Sequence, residues 1–228
     1  MTREVPGGFS HSVAIVTGGT GGLGRAVTQA LLAAKAAGVI ATYRSLQEFE
    51  DLARTLTTGR ERLEDRPVDV TDEAATLGLV ADVAARHGRI DILVNTVGGY
   101  AGGTALWKAS PDVMDRMLSL NLRSGRSLCR AVIPVMLRQG YGSIVNVLAK
   151  AAALAMMDSL AADLLGTGIR ANSILPSIID TDPNRRATPS ADFSKWPKPD
   201  DIARVVLFLY SQEAGVVHVA SIPVYGNR

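Results

Sequence analysis

The chain has 228 residues, of which 47% are hydrophobic and 20% are charged, and its formal net charge is +2. This composition suits a single domain with a full-sized core, and the scattered, nearly balanced charges predict neither a nucleic acid nor a membrane surface as a partner. No apolar run approaches the ~20 residues that span a bilayer, and residues 1–12 show no apolar signal core. Cys129 is the only cysteine. An internal disulfide is therefore impossible, and we expect a reducing, cytoplasmic location.

The histidines do not indicate a metal site. His11, His87 and His218 are isolated in the sequence, and no H-E-x-x-H pair of ligands occurs. Because a zinc site needs several ligands at close spacing, we expect no metal and interpret the three side chains as structural or exposed.

Short apolar runs alternate with longer stretches of helical periodicity along the chain. The predicted strands are Val13–Thr17, Val39–Tyr43, Pro67–Val70, Ile90–Asn95, Ser143–Val147, Ile169–Leu175 and Ala220–Val224. The predicted helices are Leu23–Ala37, Leu46–Leu56, Glu73–His87, Pro111–Arg138, Lys150–Leu165 and Pro199–Tyr210. This alternation predicts an α/β fold, a doubly wound parallel sheet of about seven strands with helices on both faces, formed by residues 1–228 as one domain. Ligands of such sheets bind beyond the carboxyl ends of the strands.

A glycine-rich segment follows the first strand and opens the first helix. Thr17–Gly24 reads T-G-G-T-G-G-L-G. Glycines permit positive φ and a close approach of the backbone to phosphates, and a helix N-terminus favours negative charge. The alternative is a flexible turn, but the flanking strand and helix favour a pyrophosphate site. The residues assigned to cofactor binding in this segment are Thr17, Gly18, Thr20, Gly22, Leu23 and Gly24.

The residues after the second strand indicate which dinucleotide binds. A carboxylate at this place would hold the ribose hydroxyls of NAD. The chain has Arg44 and Ser45 instead, and a cation beside a hydroxyl suits a 2′-phosphate. We therefore favour NADP(H) over NAD(H); the alternative for Arg44 is a solvated side chain.

Two further strand ends add residues to the predicted site. Asp69 and Val70 lie at the carboxyl end of the third strand, where the Asp69 carboxylate suits the adenine amino group. The alternative role, capping the next helix, fits the neighbouring residues Thr71 and Asp72 better. After the fourth strand, Asn95–Gly99 is rich in small residues, and Asn95 and Gly98 are assigned to cofactor binding.

Together these motifs resemble the short-chain dehydrogenase/reductase family, whose glycine spacing is T-G-x-x-x-G-x-G. The matching segments fall in the family's order, and they are Thr17–Gly24, Asp69, Asn95–Gly98, Asn121, Lys150 and Pro176–Thr181. The resemblance implies a Rossmann-like oxidoreductase that moves a hydride between nicotinamide and a carbonyl, an alcohol or a C=N carbon. It also implies catalytic roles for Asn121, which binds a proton-relaying water, and for Lys150.

The resemblance implies a second role for Lys150, which holds the nicotinamide ribose and lowers the pKa of a catalytic tyrosine. Ser159, Leu160 and Asp163 match the family's pattern on the helix that follows this lysine. The resemblance further implies that Pro176, Ile179 and Thr181 contact the nicotinamide and the phosphates.

The catalytic tyrosine and serine of the family have no counterpart in this chain. The position four residues before Lys150 is Asn146, inside the fifth strand, and Val147 leads directly into Leu148. By the family's spacing, about sixteen residues that would carry both groups are absent at this junction. Tyr141 and Ser143 do not replace them, because they start the fifth strand, about 15 Å from its carboxyl end.

Two explanations of this gap remain open. The protein has lost its acid–base pair and is a catalytically inactive dinucleotide-binding protein, or the sequence lacks an active-site loop that the natural protein carries. We favour the second, because the cofactor residues are otherwise complete and because the connection, residues 148 and 149, is at the short end of the usual 2–6 residues.

Other segments are similar to dihydropteridine reductases. Val97–Gly103 resembles their G-G-W-A-G-G stretch, with Tyr100 in place of the tryptophan, and residues 191–194 and Trp196 match as well. The resemblance implies a quinonoid pterin as an alternative substrate, with Tyr100 and Trp196 in the substrate pocket. Residues 176–198 are then expected to form a substrate lid; the alternative is an ordered surface loop.

The family resemblance also implies a homodimer or homotetramer. The helices Pro111–Arg138 and Lys150–Leu165 would pair across the interface, although small residues such as Ala153 and Ala161 equally suit packing on the sheet. Val219 stands before the last strand, where the family usually has glycine.

Overall fold

The computed structural model describes residues 8–99, 108, 110–147 and 151–226. Seven parallel strands form one sheet in the order β3-β2-β1-β4-β5-β6-β7. The strands are β1 (Val13–Thr17), β2 (Gly38–Tyr43), β3 (Leu63–Pro67), β4 (Ile92–Asn95), β5 (Gly142–Val147), β6 (Ile169–Pro176) and β7 (Ser221–Val224). The predicted doubly wound α/β fold is confirmed.

Helices cover both faces of the sheet. They are α1 (Gly22–Ala33), α2 (Leu46–Thr55), α3 (Glu73–His87), α4 (Pro111–Leu118), α5 (Ser124–Gln139), α6 (Ala151–Asp163), α7 (Asp182–Ala187) and α8 (Pro199–Tyr210). One core packs α1, α2 and α8 on one face of the sheet, and the other packs α3, α5 and α6 on the opposite face. Burial on both faces explains why the central strands are continuous apolar runs.

The third strand was predicted at Pro67–Val70, and this is wrong. β3 is Leu63–Pro67, an edge strand in which Leu63 is the only buried residue. Its charged side chains are paired, since Glu64 binds Arg66, Arg86 and His87. An edge strand tolerates such charges and a terminal proline, so it lacks the apolar run that identifies the central strands.

The single helix predicted over Pro111–Arg138 is divided. A π-helical turn, Ser119–Arg123, lies between α4 and α5.

The proposed lid segment, residues 176–198, has secondary structure of its own. It contains α7 and a 3₁₀ turn at Phe193–Lys195. In α6, Ala153 and Ala161 are buried against the sheet, the packing alternative that the sequence left open.

A buried ionic cluster lies at the amino edge of the sheet, opposite to the expected ligand edge. The Asp91 carboxylate is fully buried, accepts a hydrogen bond from the Val13 amide and accepts two more from Nε and Nη2 of Arg89. Tyr141 joins the cluster through Arg89. The structure thus places Tyr141, with Ser143 beside it, at the amino edge and away from the cofactor residues.

No helix in the described part of the chain has the length and apolar character needed to cross a membrane. No group of three or more potential metal ligands occurs among the described residues. His218 instead binds the backbone of Ala171 and Ala161, which is a structural role.

Val219 has a backbone conformation that favours glycine. Its φ is +58°, in the left-handed region, where its amide donates to the Ala171 carbonyl beside the start of β7. A residue with a Cβ pays about 1–2 kcal/mol there. This strain gives a physical reason for the glycine that the family usually carries at this position.

Replacing this valine should stabilise the protein. Relief of the left-handed strain outweighs the added entropy of a glycine in the unfolded chain, so we expect Val219→Gly to raise the free energy of unfolding by about 0.5–1 kcal/mol. Urea denaturation measures the change. Val216→Gly is the control, since Val216 is 86% exposed and has no positive φ, and it should be slightly destabilising. A loss of stability in Val219→Gly would contradict this account.

Candidate functional site

A cleft of about 680 Å³ opens at the carboxyl edge of the sheet, beyond β1, β2 and β4. It collects residues that the sequence analysis assigned to cofactor binding from four separate segments. Those that line it are Gly18, Thr20, Gly22, Leu23, Gly24, Arg44, Ser45, Asp69, Val70 and Gly98. Residues that lie far apart in the sequence thus meet at the carboxyl ends of the strands, as expected for ligand sites of parallel sheets.

The turn between β1 and α1 has the geometry of a phosphate cradle. Gly18 has a φ of +63°, and a Cβ on Gly24 would lie only 2.0 Å from the Gly18 carbonyl oxygen. The N-cap residue of α1 is Gly21, which has no side chain to cap the first amides of the helix. The first amide groups of the helix thus remain available to an anion, and the residues present fit a dinucleotide pyrophosphate.

The segment after β6 lies against this turn. An added Cβ on Gly22 would lie 2.7 Å from Cγ2 of Thr181. Pro176 ends β6, and Ile179 packs on the core between these two positions. This contact brings the segment predicted to touch the nicotinamide and phosphates beside the glycine turn.

A chain of buried polar groups supports the cleft from below. The Thr17 hydroxyl donates to Asn95 (2.7 Å), and the Asn95 amide donates to Asn146 (2.9 Å). Asn146 in turn contacts the Met157 sulfur in α6. Thr17 and Asn95 are buried, so they hold the strand ends in register rather than line the cleft.

Asp69 is prepared as a hydrogen-bond acceptor. The Thr71 hydroxyl and amide both donate to its Oδ1, which lowers the pKa of the carboxyl, and Arg44 adds a smaller effect in the same direction. Asp72 caps α3 through the amides of the first turn. The capping role therefore falls to Asp72, and Asp69 keeps an ionised carboxylate at the cleft.

Arg44 is exposed at the cleft. No hydrogen bond or ion pair joins its guanidinium to another residue in the described part of the chain. Ser45 is the N-cap of α2, but its side chain makes no cap bond. A guanidinium, a hydroxyl and the start of a helix are thus available together at the end of β2.

Asn121 works as a clamp in the π-helical turn. Its side-chain oxygen accepts from the Gly99 amide, and its nitrogen donates to the carbonyls of Gly99 and Met117. These bonds hold the loop after β4 against the turn. The water-relay role implied by the family resemblance stays a prediction.

Some residues of the cleft were missed by the sequence analysis. Glu48, Arg116 and Met117 also line it. The spacing Ser45-x-x-Glu48 is a capping-box signal that points to the helix start, but nothing in the sequence pattern indicates that α4 reaches the cleft.

Other predicted residues are not brought to the cleft. Trp196 packs against Phe193, with the ring centroids 5.0 Å apart, and does not line the cleft. Lys150 and Tyr100 lie outside the described residues. Their predicted roles therefore stay predictions.

Comparisons with known proteins agree with this geometry. The family model described as short chain dehydrogenase matches residues 12–192. The chain belongs to the short-chain dehydrogenase family. It is 32% identical to D-threitol dehydrogenase of Mycolicibacterium smegmatis over 94% of this chain and 92% of that protein. It is 30% identical to acetoacetyl-CoA reductase of Shinella zoogloeoides over 95% and 98% of the two chains.

A solved structure shows the same likeness. A short-chain type dehydrogenase/reductase from Mycobacterium ulcerans superposes with a TM-score of 0.89 and 26% identity, covering 95% of this chain and 89% of that one. The chain is thus an oxidoreductase of the short-chain type, a family that binds nicotinamide dinucleotides.

The contact between Gly22 and Thr181 can be tested by a double-mutant cycle. We expect Gly22→Ala to lower the free energy of unfolding by about 1 kcal/mol, because the new methyl group displaces Thr181. In a Thr181→Ala background, which lacks the close Cγ2, the same change should be nearly neutral. Urea denaturation of the four proteins measures the coupling.

The matched control is Gly78→Ala in α3, where an added Cβ meets nothing within 4 Å. This change should stabilise the helix by about 0.5–1 kcal/mol. An equal cost of Gly22→Ala in both backgrounds would show that Thr181 does not cover the glycine turn.

Proposed function

We propose that the protein is an NADP(H)-dependent reductase or dehydrogenase that moves a hydride between the nicotinamide and a carbonyl or alcohol carbon, or a C=N carbon. The observation that carries the choice of cofactor is Arg44 at the end of β2, an exposed guanidinium that makes no hydrogen bond or ion pair to a described residue. Beside it lie the free hydroxyl of Ser45 and the uncapped start of α2. This set suits a dianionic 2′-phosphate.

The remaining cleft residues fit the rest of the cofactor. The glycine turn would hold the pyrophosphate through backbone amides, and Asp69 would accept from the adenine amino group. The bound nicotinamide would supply or accept the hydride. The chain's own residues would bind and orient it, and the hydrogen bonds of Asn121 to Gly99 would hold the loop after β4 in place beside the cofactor.

The proton of the reaction needs a group that this sequence does not show. Lys150 is proposed as the residue that holds the nicotinamide ribose and tunes the missing tyrosine. The alignment with D-threitol dehydrogenase covers 240 positions, more than the 228 residues of this chain. The relative thus carries residues without a counterpart in this sequence, and we propose that the natural protein has such residues as an active-site loop between Val147 and Leu148.

A second candidate, a dinucleotide-binding protein without turnover, has one observation in its favour. Only residues 148–150 separate the end of β5 from the start of α6, which leaves no room for a serine and tyrosine loop. Intact mass spectrometry of the natural protein separates the candidates. A mass near 24.0 kDa rules out the extra loop, and a mass larger by about sixteen residues supports it.

A pterin substrate is the alternative within the enzyme class. In the proposed lid, Arg185 lies over the Phe193 ring, at 5.0 Å from its centroid, beside Trp196. These rings would form one wall of a pocket for a flat substrate if the segment closes over the cleft.

A homodimer or homotetramer is also proposed. The contact between subunits would be the groove between α5 and α6, which is lined by Ile133, Met156 and Leu160. The cytoplasmic location stays a prediction.

The cofactor assignment predicts a selective loss of affinity. Arg44→Ala should weaken NADPH binding about tenfold to a hundredfold, because a charged hydrogen bond contributes about 1.5–3 kcal/mol, and should change NADH binding little. Nucleotide titration by calorimetry measures both. The control is Arg54→Ala, an exposed arginine of α2 that pairs with Asp51. An equal loss for NADPH and NADH would overturn the assignment of the 2′-phosphate to Arg44.

The natural full-length protein should oxidise NADPH when aldehydes, ketones and a quinonoid dihydropterin are offered as substrates, one at a time. Turnover of a carbonyl compound supports the main proposal, and turnover of the pterin alone supports the alternative substrate. Binding of NADPH without any turnover by the natural full-length protein would support the inactive candidate.

A further inference from the structure

A carboxylate lies in the cleft beside the arginine that the proposed function assigns to the 2′-phosphate. Glu48 lines the cleft together with Arg44 and Ser45 and belongs to the first turn of α2. Its Oε2 accepts a hydrogen bond of 3.0 Å from the hydroxyl of Thr20, which is only 5% exposed within the glycine turn. This bond holds the exposed carboxylate towards the cleft.

The position of Glu48 is not explained by helix capping. The spacing Ser45-x-x-Glu48 is that of a capping box, in which the glutamate would bind the N-cap backbone. The structure has no side-chain cap at Ser45, and the Glu48 carboxylate accepts from Thr20 at the cleft wall instead. The carboxylate is therefore directed to the glycine turn rather than to its own helix.

Arg44 and Glu48 have opposite effects on the two nicotinamide cofactors. A guanidinium attracts the 2′-phosphate of NADP(H), while a carboxylate within several ångströms repels it. With NAD(H), the same carboxylate can accept a hydrogen bond from the free ribose 2′-hydroxyl. The chain thus carries both a group that favours NADP(H) and a group that favours NAD(H).

We propose that Glu48 sets the cofactor balance, so that the protein uses both NADP(H) and NAD(H) rather than NADP(H) alone. The inference rests on the proposed function, because it needs the ribose of a dinucleotide at this end of the cleft. Thr20 is the positioning residue, since its hydroxyl holds the carboxylate in place. Glu48 is then the specificity-determining residue that opposes Arg44.

The test is calorimetric titration of the full chain with NADPH and with NADH. Glu48→Gln keeps the shape of the side chain and removes its charge. We expect NADPH to bind about tenfold more tightly and NADH about threefold to tenfold more weakly than in the unchanged protein. The gain for NADPH should shrink at high salt, because it comes from relieved repulsion between charges near the surface.

Asp51→Asn is the matched control, since it removes the same charge from the same helix at a residue that does not line the cleft. It should change both affinities less than about twofold. Opposite shifts for the two cofactors in Glu48→Gln alone support the inference, because a merely structural effect would move both in one direction.

Two results would overturn the inference, and only the second would also overturn the proposed function. If both cofactors bind but their affinity ratio is the same in Glu48→Gln and in the unchanged protein, Glu48 does not set the balance and the proposed function stands. If the unchanged protein binds neither NADPH nor NADH, the inference and the proposed function both fail.

Discussion

The close approach of Gly24 to Gly18 is the constraint on which the site depends. A Cβ on Gly24 would lie 2.0 Å from the Gly18 carbonyl oxygen, so the chain can leave β1 and enter α1 in this tight turn only if no side chain is present. The turn points the start of α1 into the cleft and leaves its first amides without a side-chain cap. Each further proposed cofactor contact is arranged around these amides.

Rigid elements hold the other groups at the edge that this turn defines. The polar chain from Thr17 through Asn95 to Asn146 crosses three neighbouring strands beneath the cleft. Asn121 fixes the loop after β4 from the opposite side. At the cleft surface, by contrast, the guanidinium of Arg44 makes no hydrogen bond or ion pair to any residue in the described part of the chain. The residues that support the cleft are thus distinct from the residues proposed to bind the cofactor.

Much of this architecture follows from local sequence patterns, and the exceptions have physical causes. The central strands and the glycine turn were predictable because apolar runs and glycine spacing are local signals. β3 was misplaced because an edge strand pairs charges such as Glu64 instead of burying apolar side chains. The cleft role of Glu48 was missed because its partner, Thr20, is distant in sequence and its spacing imitates a helix cap. Arg116 reaches the cleft only through the packing of α4, which no local pattern encodes.

The central claim is that the carboxyl edge of this sheet holds a nicotinamide dinucleotide whose 2′-phosphate lies at Arg44. The most direct measurement is a crystal structure of the protein grown with NADPH. The account predicts the pyrophosphate on the Gly18–Gly24 turn, the adenine beside Asp69 and the 2′-phosphate within hydrogen-bond distance of Arg44. An empty cleft at saturating NADPH, or a nucleotide bound elsewhere on the molecule, would contradict it.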